Sequence, residues 1–267
     1  MKIGLVQMNS RQDKAANLAA AQEGIDKVAH QGVDLVLLPE MFNHLGSDEQ
    51  NAAAAEEIPG PSTEWARQQA RERGVFVHCG SIIERRVDGN YNTSVVFDRA
   101  GDEVARYRKL HLFDIVLPDG TRYLESEAIT AGDRIAAFDC EGVVMGLAIC
   151  YDLRFPELFR ALAEAGAEVF LLPAAFTVPT GMYHWEPLLR ARAIENGCYA
   201  AAAGQWGPWA RGKQCYGHSM VVDPWGAVIA QCREGVDTLA VELDMDYLRS
   251  VRERMPVLEH RRRDLFE

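Results

Sequence analysis

The sequence predicts an α/β fold made of two β-rich halves, each with helices on its outer face. Three observations point there. Short apolar runs recur along the 267 residues, and many are continuous rather than alternating, as strands buried on both faces require. Segments with apolar residues at helical spacing lie between several of them. Two segments about half a chain apart repeat a pattern: "GVDLVLLPEMF" from Gly32 and "GAEVFLLPAAF" from Gly166. Two sheets packed face to face, with helices outside, would bury both faces of each strand. The plainer alternative is two ordinary helix–strand units that merely look alike.

The elements follow in order. Strands are predicted at 3–8, 35–38, 75–78, 94–97, 143–149, 169–172, 200–203, 220–222, 228–230 and 239–243. Leu18, Ala21, Ile25 and Val28 recur at helical spacing, with Gly32 as a stop. Ser62 can cap a helix running to Gly74. Pro156 suits a first helical turn; Leu158, Leu162 and Ala165 then share a face that Gly166 ends. A fourth helix covers 185–196 and stops at Gly197. Alternation across Tyr107, Lys109, His111 and Phe113 puts Lys109 on one face of a strand. No linker or low-complexity segment breaks the chain, so residues 1–267 read as one domain.

Bulk composition narrows the function. Hydrophobic content of 48% and charged content of 25% are those of an ordinary soluble protein. A formal net charge of −11 repels phosphate backbones and anionic lipid, so nucleic-acid and membrane-surface partners are not expected. The basic cluster His260 to Arg263 reads as a solvated tail with local salt bridges. No apolar run approaches a membrane span, and the N-terminus reads as a strand rather than a signal peptide. The six cysteines, at 79, 140, 150, 198, 215 and 232, form no CxxC pair. No metal site is expected, and reduced thiols suggest the cytoplasm.

The stretch "GLAICYDLRFPELFR" concentrates the chemistry. An apolar run stops on Cys150 and turns at once into charge, yet no His lies within thirty residues. A catalytic cysteine needs a base, a cation or a helix N-terminus, since only roughly 3% of a thiol is ionised at pH 7. A strand–Cys–helix turn follows the logic of a nucleophile elbow. Taken alone, Cys150 is more simply a small buried hydrophobe. "LVLLPEMF" ends a buried run on Glu40, costly unless paired or functional; otherwise Glu40 leans into solvent. Lys109 alone reads as a solvated lysine, and Glu125 and Glu127 in "YLESEAITAGD" as exposed.

Together these signals resemble the nitrilase superfamily of carbon–nitrogen hydrolases. "LLPEMF", "YRKLHLFD", "GLAICYDLRFPEL" and "YGHSMVVDPWG" carry the resemblance, which runs from Lys2 to about Arg263. It implies a four-layer αββα sandwich that dimerises through helices, with no cofactor. It also implies a Glu–Lys–Cys triad falling on Glu40, Lys109 and Cys150, with a second site glutamate on Glu125, by the "ES" after "FD…P". Glu127 fits less well. The chemistry expected is attack by Cys150 on an amide carbonyl, its proton passing to Glu40. Lys109 and the Tyr151 N–H would hold the oxyanion, and water activated by Glu40 would release the acid from a thioester. Burial and the charge of Glu125 are expected to raise Glu40, and Lys109 to favour the thiolate.

"AAFTVPTGMYHWEPLLRARAIENGCY" resembles the Nit-type amidases, deaminated glutathione amidases above all, with ω-amidases as relatives. In such enzymes an arginine and a threonine contact a substrate carboxylate; they fall on Arg154 and Thr180. Arg154 is otherwise a structural partner of Asp152 or Glu157. The chain departs from the pattern at Trp206, Pro208 and Trp209, and at Met182 and Tyr183, where apolar bulk would suit a more apolar amide. Aliphatic amidase or N-carbamoyl amide hydrolase activity is the alternative. From other classes, a Cys–His hydrolase would use His184 or His218, and a non-catalytic scaffold would keep the fold without turnover. An ammonia-supplying glutaminase would need a synthetase partner.

Overall fold

Strand Lys2–Gln7 shows how the layers are built. Ile3 and Leu5 enter a core shared with the second sheet, while Val6 packs with Ala21, Ile25 and Val28 of helix Lys14–Ala29 on the other face. A Cβ at Gly4 would sit 2.7 Å from Val28 Cγ2, and one at Gly24 2.3 Å from Val6 Cγ1. Helix and strand therefore approach until only hydrogen fits between them. The computed structural model describes residues 1–116, 120, 122–210 and 212–266. Pro118 of the "FD…P" spacing, Arg211 and Glu267 lie outside the described residues.

In the first sheet Lys2–Gln7, Leu35–Leu37 and Phe76–His78 run parallel. Asp237–Glu242 closes one edge; Gly89–Phe97, Ile82–Arg86 and Glu103–Arg108 complete the other, all antiparallel. In the second, Val143–Leu147, Val169–Ala174 and Tyr199–Gly204 run parallel. Ala137–Cys140 flanks them on one side, Met220–Val222 and Val228–Gln231 on the other. Pro61–Arg73 joins Lys14–Ala29 outside the first sheet through Ala66 and Ala70. Pro156–Glu164 and Val178–Asn196 cover the second, with Phe159 edge-on to Phe170 and Trp185 tilted against Phe176. The order is helix, sheet, sheet, helix: the αββα sandwich.

The two repeated segments occupy equivalent places. Asp34 donates its N–H to Lys2 O, accepts from Phe76 N at its own carbonyl, and takes the Lys2 N–H on its carboxylate. Glu168 does the same with Val144 O, Tyr199 N and Val144 N. Each acidic residue joins three parallel strands at the same point of its sheet, so the repeat is architectural.

Local details differ from the sequence expectation. The helix expected to start at Ser62 has Gly60 as N-cap and Pro61 in its first turn. The Ser62 hydroxyl and N–H bond Glu56 instead, each at 2.8 Å. The last predicted helix begins seven residues early, at Val178. Strand Glu103–Arg108 ends one residue before Lys109. The hairpins Asp114–Val116 with Arg122–Leu124 and Trp206–Ala210 with Lys213–Tyr216 were not foreseen. Arg261 and Arg263 pair with Glu164, the local salt bridges expected of the basic cluster. Among the described residues no helix is long and apolar enough to cross a membrane.

Candidate active site

The run 143–149 leaves the sheet after Leu147, and the chain turns sharply at Cys150, whose φ is +48°. That left-handed conformation is uncommon for a residue with a Cβ and persists only where surroundings enforce it. Cys150 opens a short 3-10 helix, Cys150–Arg154, and the α-helix Pro156–Glu164 follows, starting at the proline the sequence pointed to. Met41, directly after Glu40, takes a similar φ of +58°.

Glu40 is buried, not solvent-facing, at 4% exposure. Its Oε1 accepts from Lys109 Nζ at 3.1 Å and Asn92 Nδ2 at 2.9 Å; its Oε2 accepts from Ala175 N at 2.7 Å. Gln205 Nε2 holds the Glu40 carbonyl at 3.0 Å. Lys109, 3% exposed, also meets Glu125 at 2.8 and 3.1 Å. Glu125 opens a 3-10 turn, Glu125–Glu127, and takes the Phe113 N–H at 2.7 Å. Glu127 is exposed, so Glu125 is the glutamate that joins the cluster.

The electrostatics follow. Burial pushes the Lys109 ammonium down, but Glu125 and Glu40 together hold it well above the usual lysine range. Burial pushes the Cys150 thiol well up, Glu40 adds to this, and Lys109 opposes it. Lys109 does favour the thiolate, as expected, yet burial and Glu40 outweigh it.

Glu40, Lys109, Glu125 and Cys150 line one cleft of about 910 Å³, open mouth included, together with Tyr151, Arg154, Thr180 and Trp209. Arg154 has no carboxylate within 4.0 Å among the described residues, so pairing with Asp152 or Glu157 is not its role. Its guanidinium lies 5.3 Å from the Phe176 ring centre and 5.6 Å from that of Tyr151, with His184 Nδ1 3.2 Å from Nη1. Thr180 Oγ1 is 2.9 Å from Thr177 Oγ1. Trp206 turns away from the cleft to meet the His218 ring, and Met182 and Tyr183 are exposed. Neither His184 nor His218 lines the cleft. Among the described residues no three His, Cys, Asp or Glu side chains are arranged to hold a metal. Asn92 escaped the sequence reading, although "NTS" in a buried strand was its signal: polar side chains there need partners.

An αββα sandwich with a buried carboxylate–ammonium pair beside a cleft thiol has the groups of a thiol-dependent hydrolase. The chain belongs to the carbon–nitrogen hydrolase family, whose model matches residues 2–253. The deaminated glutathione amidase of Bos taurus is 41% identical over 99% of this chain and 83% of its own. An omega-amidase of Xenopus laevis is 40% identical over 99% of this chain and 96% of its own. The Caenorhabditis elegans NitFhit structure superposes on all of this chain with a TM-score of 0.93 and 40% identity; this chain spans 66% of that longer protein. A glutamate-to-glutamine mutant of the amidase from Nesterenkonia sp. AN1 has a TM-score of 0.81 and 29% identity, covering 96% of this chain and 98% of that one. It carries acrylamide added at its active-site cysteine.

Proposed function

We propose that this chain is a cysteine-dependent amidase acting on a small, carboxylate-bearing, non-peptide amide, with deaminated glutathione as the leading substrate. The observation that carries this is the buried Glu40–Lys109–Glu125 cluster beside the Cys150 thiol, in a cleft where Arg154 has no carboxylate partner among the described residues. Cys150 Sγ attacks the carbonyl carbon as its proton passes to Glu40. Lys109 and the Tyr151 N–H hold the oxyanion. Collapse expels ammonia or an amine, which takes the proton from Glu40 and leaves a thioester. Glu40 then removes a proton from water, the hydroxide displaces Cys150, and the acid departs as the thiol is reprotonated. Glu125 keeps Lys109 charged and fixed. No cofactor enters the scheme.

Arg154 and Thr180 are assigned to the substrate carboxylate, since a guanidinium fork matches it bidentately. The Xenopus relative supports a second reading, an omega-amide with ammonia as leaving group. The unit proposed is residues 1–267 as one domain, working as a homodimer or larger homo-oligomer. The six free cysteines, all buried, suit the cytoplasm.

Acid release from deaminated glutathione, α-ketoglutaramate, N-carbamoyl amino acids and aliphatic amides tests the reading, with Cys150→Ala as the blank. Arg154→Leu should lower kcat/KM for a carboxylate-bearing amide by roughly ten- to a hundredfold, the worth of one charge-assisted hydrogen bond. A neutral amide should lose far less. Equal losses on both, with a lower Tm, would return Arg154 to a structural role.

A further inference from the structure

Asp152 is fully buried, two residues past Cys150, and four donors converge on its carboxylate. Oδ2 accepts from Ile149 N at 2.8 Å and from Tyr107 Oη at 2.7 Å. Oδ1 accepts from His111 N at 3.0 Å and lies 2.7 Å from His111 Nδ1. The Tyr107 hydroxyl in turn accepts from Leu110 N at 3.3 Å, and the His111 ring stacks on Phe155 at 3.7 Å. One side of this network is the turn that carries the thiol. The other is the segment that carries Lys109, gripped at residues 107, 110 and 111.

The ladder of strand Glu103–Arg108 stops short of Lys109. Beyond it, the Lys109 N–H bonds Asn92 O and its carbonyl accepts from Gly132 N, both at 2.9 Å, its backbone bonds among the described residues. Neither reaches the Cys150 turn. We propose that Asp152 is the positioning residue that sets Lys109 against Cys150. It couples the two segments through one carboxylate whose charge lets it accept all four donors. It touches neither substrate nor the reacting atoms.

The role is tested with Asp152→Asn and Tyr107→Phe. An amide at 152 presents an NH2 where a donor already points, and the phenylalanine deletes the two bonds of the Tyr107 hydroxyl, to Asp152 and from Leu110 N, without altering charge. Three quantities are read: Tm, the pH profile of Cys150 alkylation by iodoacetamide followed on its peptide, and kcat with KM. Displacing Lys109 removes the cation that favours the thiolate, so alkylation should move to higher pH in both variants. Loss of the Asp152 charge alone would move it to lower pH. Misplacement by about 1 Å should cost roughly ten- to a hundredfold in kcat with little change in KM. If Asp152→Asn does not fold, Tyr107→Phe decides on the same readouts. An alkylation profile unmoved or moved to lower pH, in a folded variant, overturns the proposal even if Tm falls. The kinetic arm rests on the amidase reading; the alkylation arm needs no substrate, so failure of one is separable from failure of the other.

Discussion

Lys109 sits at the point where most of the site's charge meets. Two carboxylates hold it protonated in a place where burial works against its charge. A cation so fixed costs no reorganisation when an oxyanion forms beside it. Lys109→Gln should therefore lower kcat by at least about a hundredfold while KM moves little. A raised KM with kcat intact would remove the oxyanion role. The legibility of the site divides by residue. Glu40 stood out because a carboxylate ending a buried run is costly, and Cys150 because the run stopped on a thiol. Lys109 alone looked like any solvated lysine, because burial is a property of the whole fold. Asp152 was read only as a partner for Arg154; its side-chain partners, His111 and Tyr107, lie 41 and 45 residues away in sequence. The aromatic departures divided too. Trp209 came to the cleft and Trp206 did not: they stand three residues apart in strand Trp206–Ala210, a spacing that alternation puts on opposite faces.

Elements aim the side chains, and the ends of strands do most of the aiming. Gly80 follows strand Phe76–His78 with φ +58°, and a Cβ there would lie 1.9 Å from the carbonyl oxygen of Pro39, next to Glu40. Gly74 has nearly the same φ, +62°, but nothing within 4 Å of its Cβ position. The pair separates strain from displacement. Gly74→Ala should cost about 1 kcal/mol, the left-handed penalty, and leave kcat per folded enzyme unchanged. Gly80→Ala should add roughly 1–3 kcal/mol of overpacking and lower kcat as well, because Pro39 must move and carry Glu40 with it. Thermal melts beside active-site-titrated kcat check both; equal kcat in the two variants would mean that Glu40 tolerates the shift. Strand and helix existence was largely legible from apolar runs and helical spacing. Ends were not. Ser62 lost the N-cap because Glu56 claimed its hydroxyl, a contact no local pattern announces. The short hairpins were missed because Pro and charge hide their alternation.

Across the molecule, buried carboxylates paired with cations shape the response to acid. Glu84 is fully buried on the edge strand Ile82–Arg86. It is bridged bidentately by Arg108 at 2.8 and 2.9 Å, approached by Arg106 at 3.6 Å, and bonded by Thr93. Burial pushes its carboxyl up, but the bonds from Arg108 and Thr93 and the two guanidinium charges outweigh burial and hold it below the usual 4.5. Glu56 is held down in the same way by Lys14 and Ser62. A carboxyl depressed on folding stabilises above its unfolded value and loses that contribution as pH falls through its lower folded value. Tm should thus hold above pH 4.5 and decline below it. Arg108→Met reverses the sign at one site. With burial then the larger influence, Glu84 resists ionising in the fold, and its charge destabilises most at neutral pH. The Tm gap between parent and variant should be widest near pH 7 and narrow as pH approaches 4, where Glu84 takes up a proton. Melts by circular dichroism at several pH values measure that gap. A gap constant from pH 7 to pH 4 would mean that Arg108 acts through its packing on the Tyr91 ring, 4.0 Å away, rather than through Glu84.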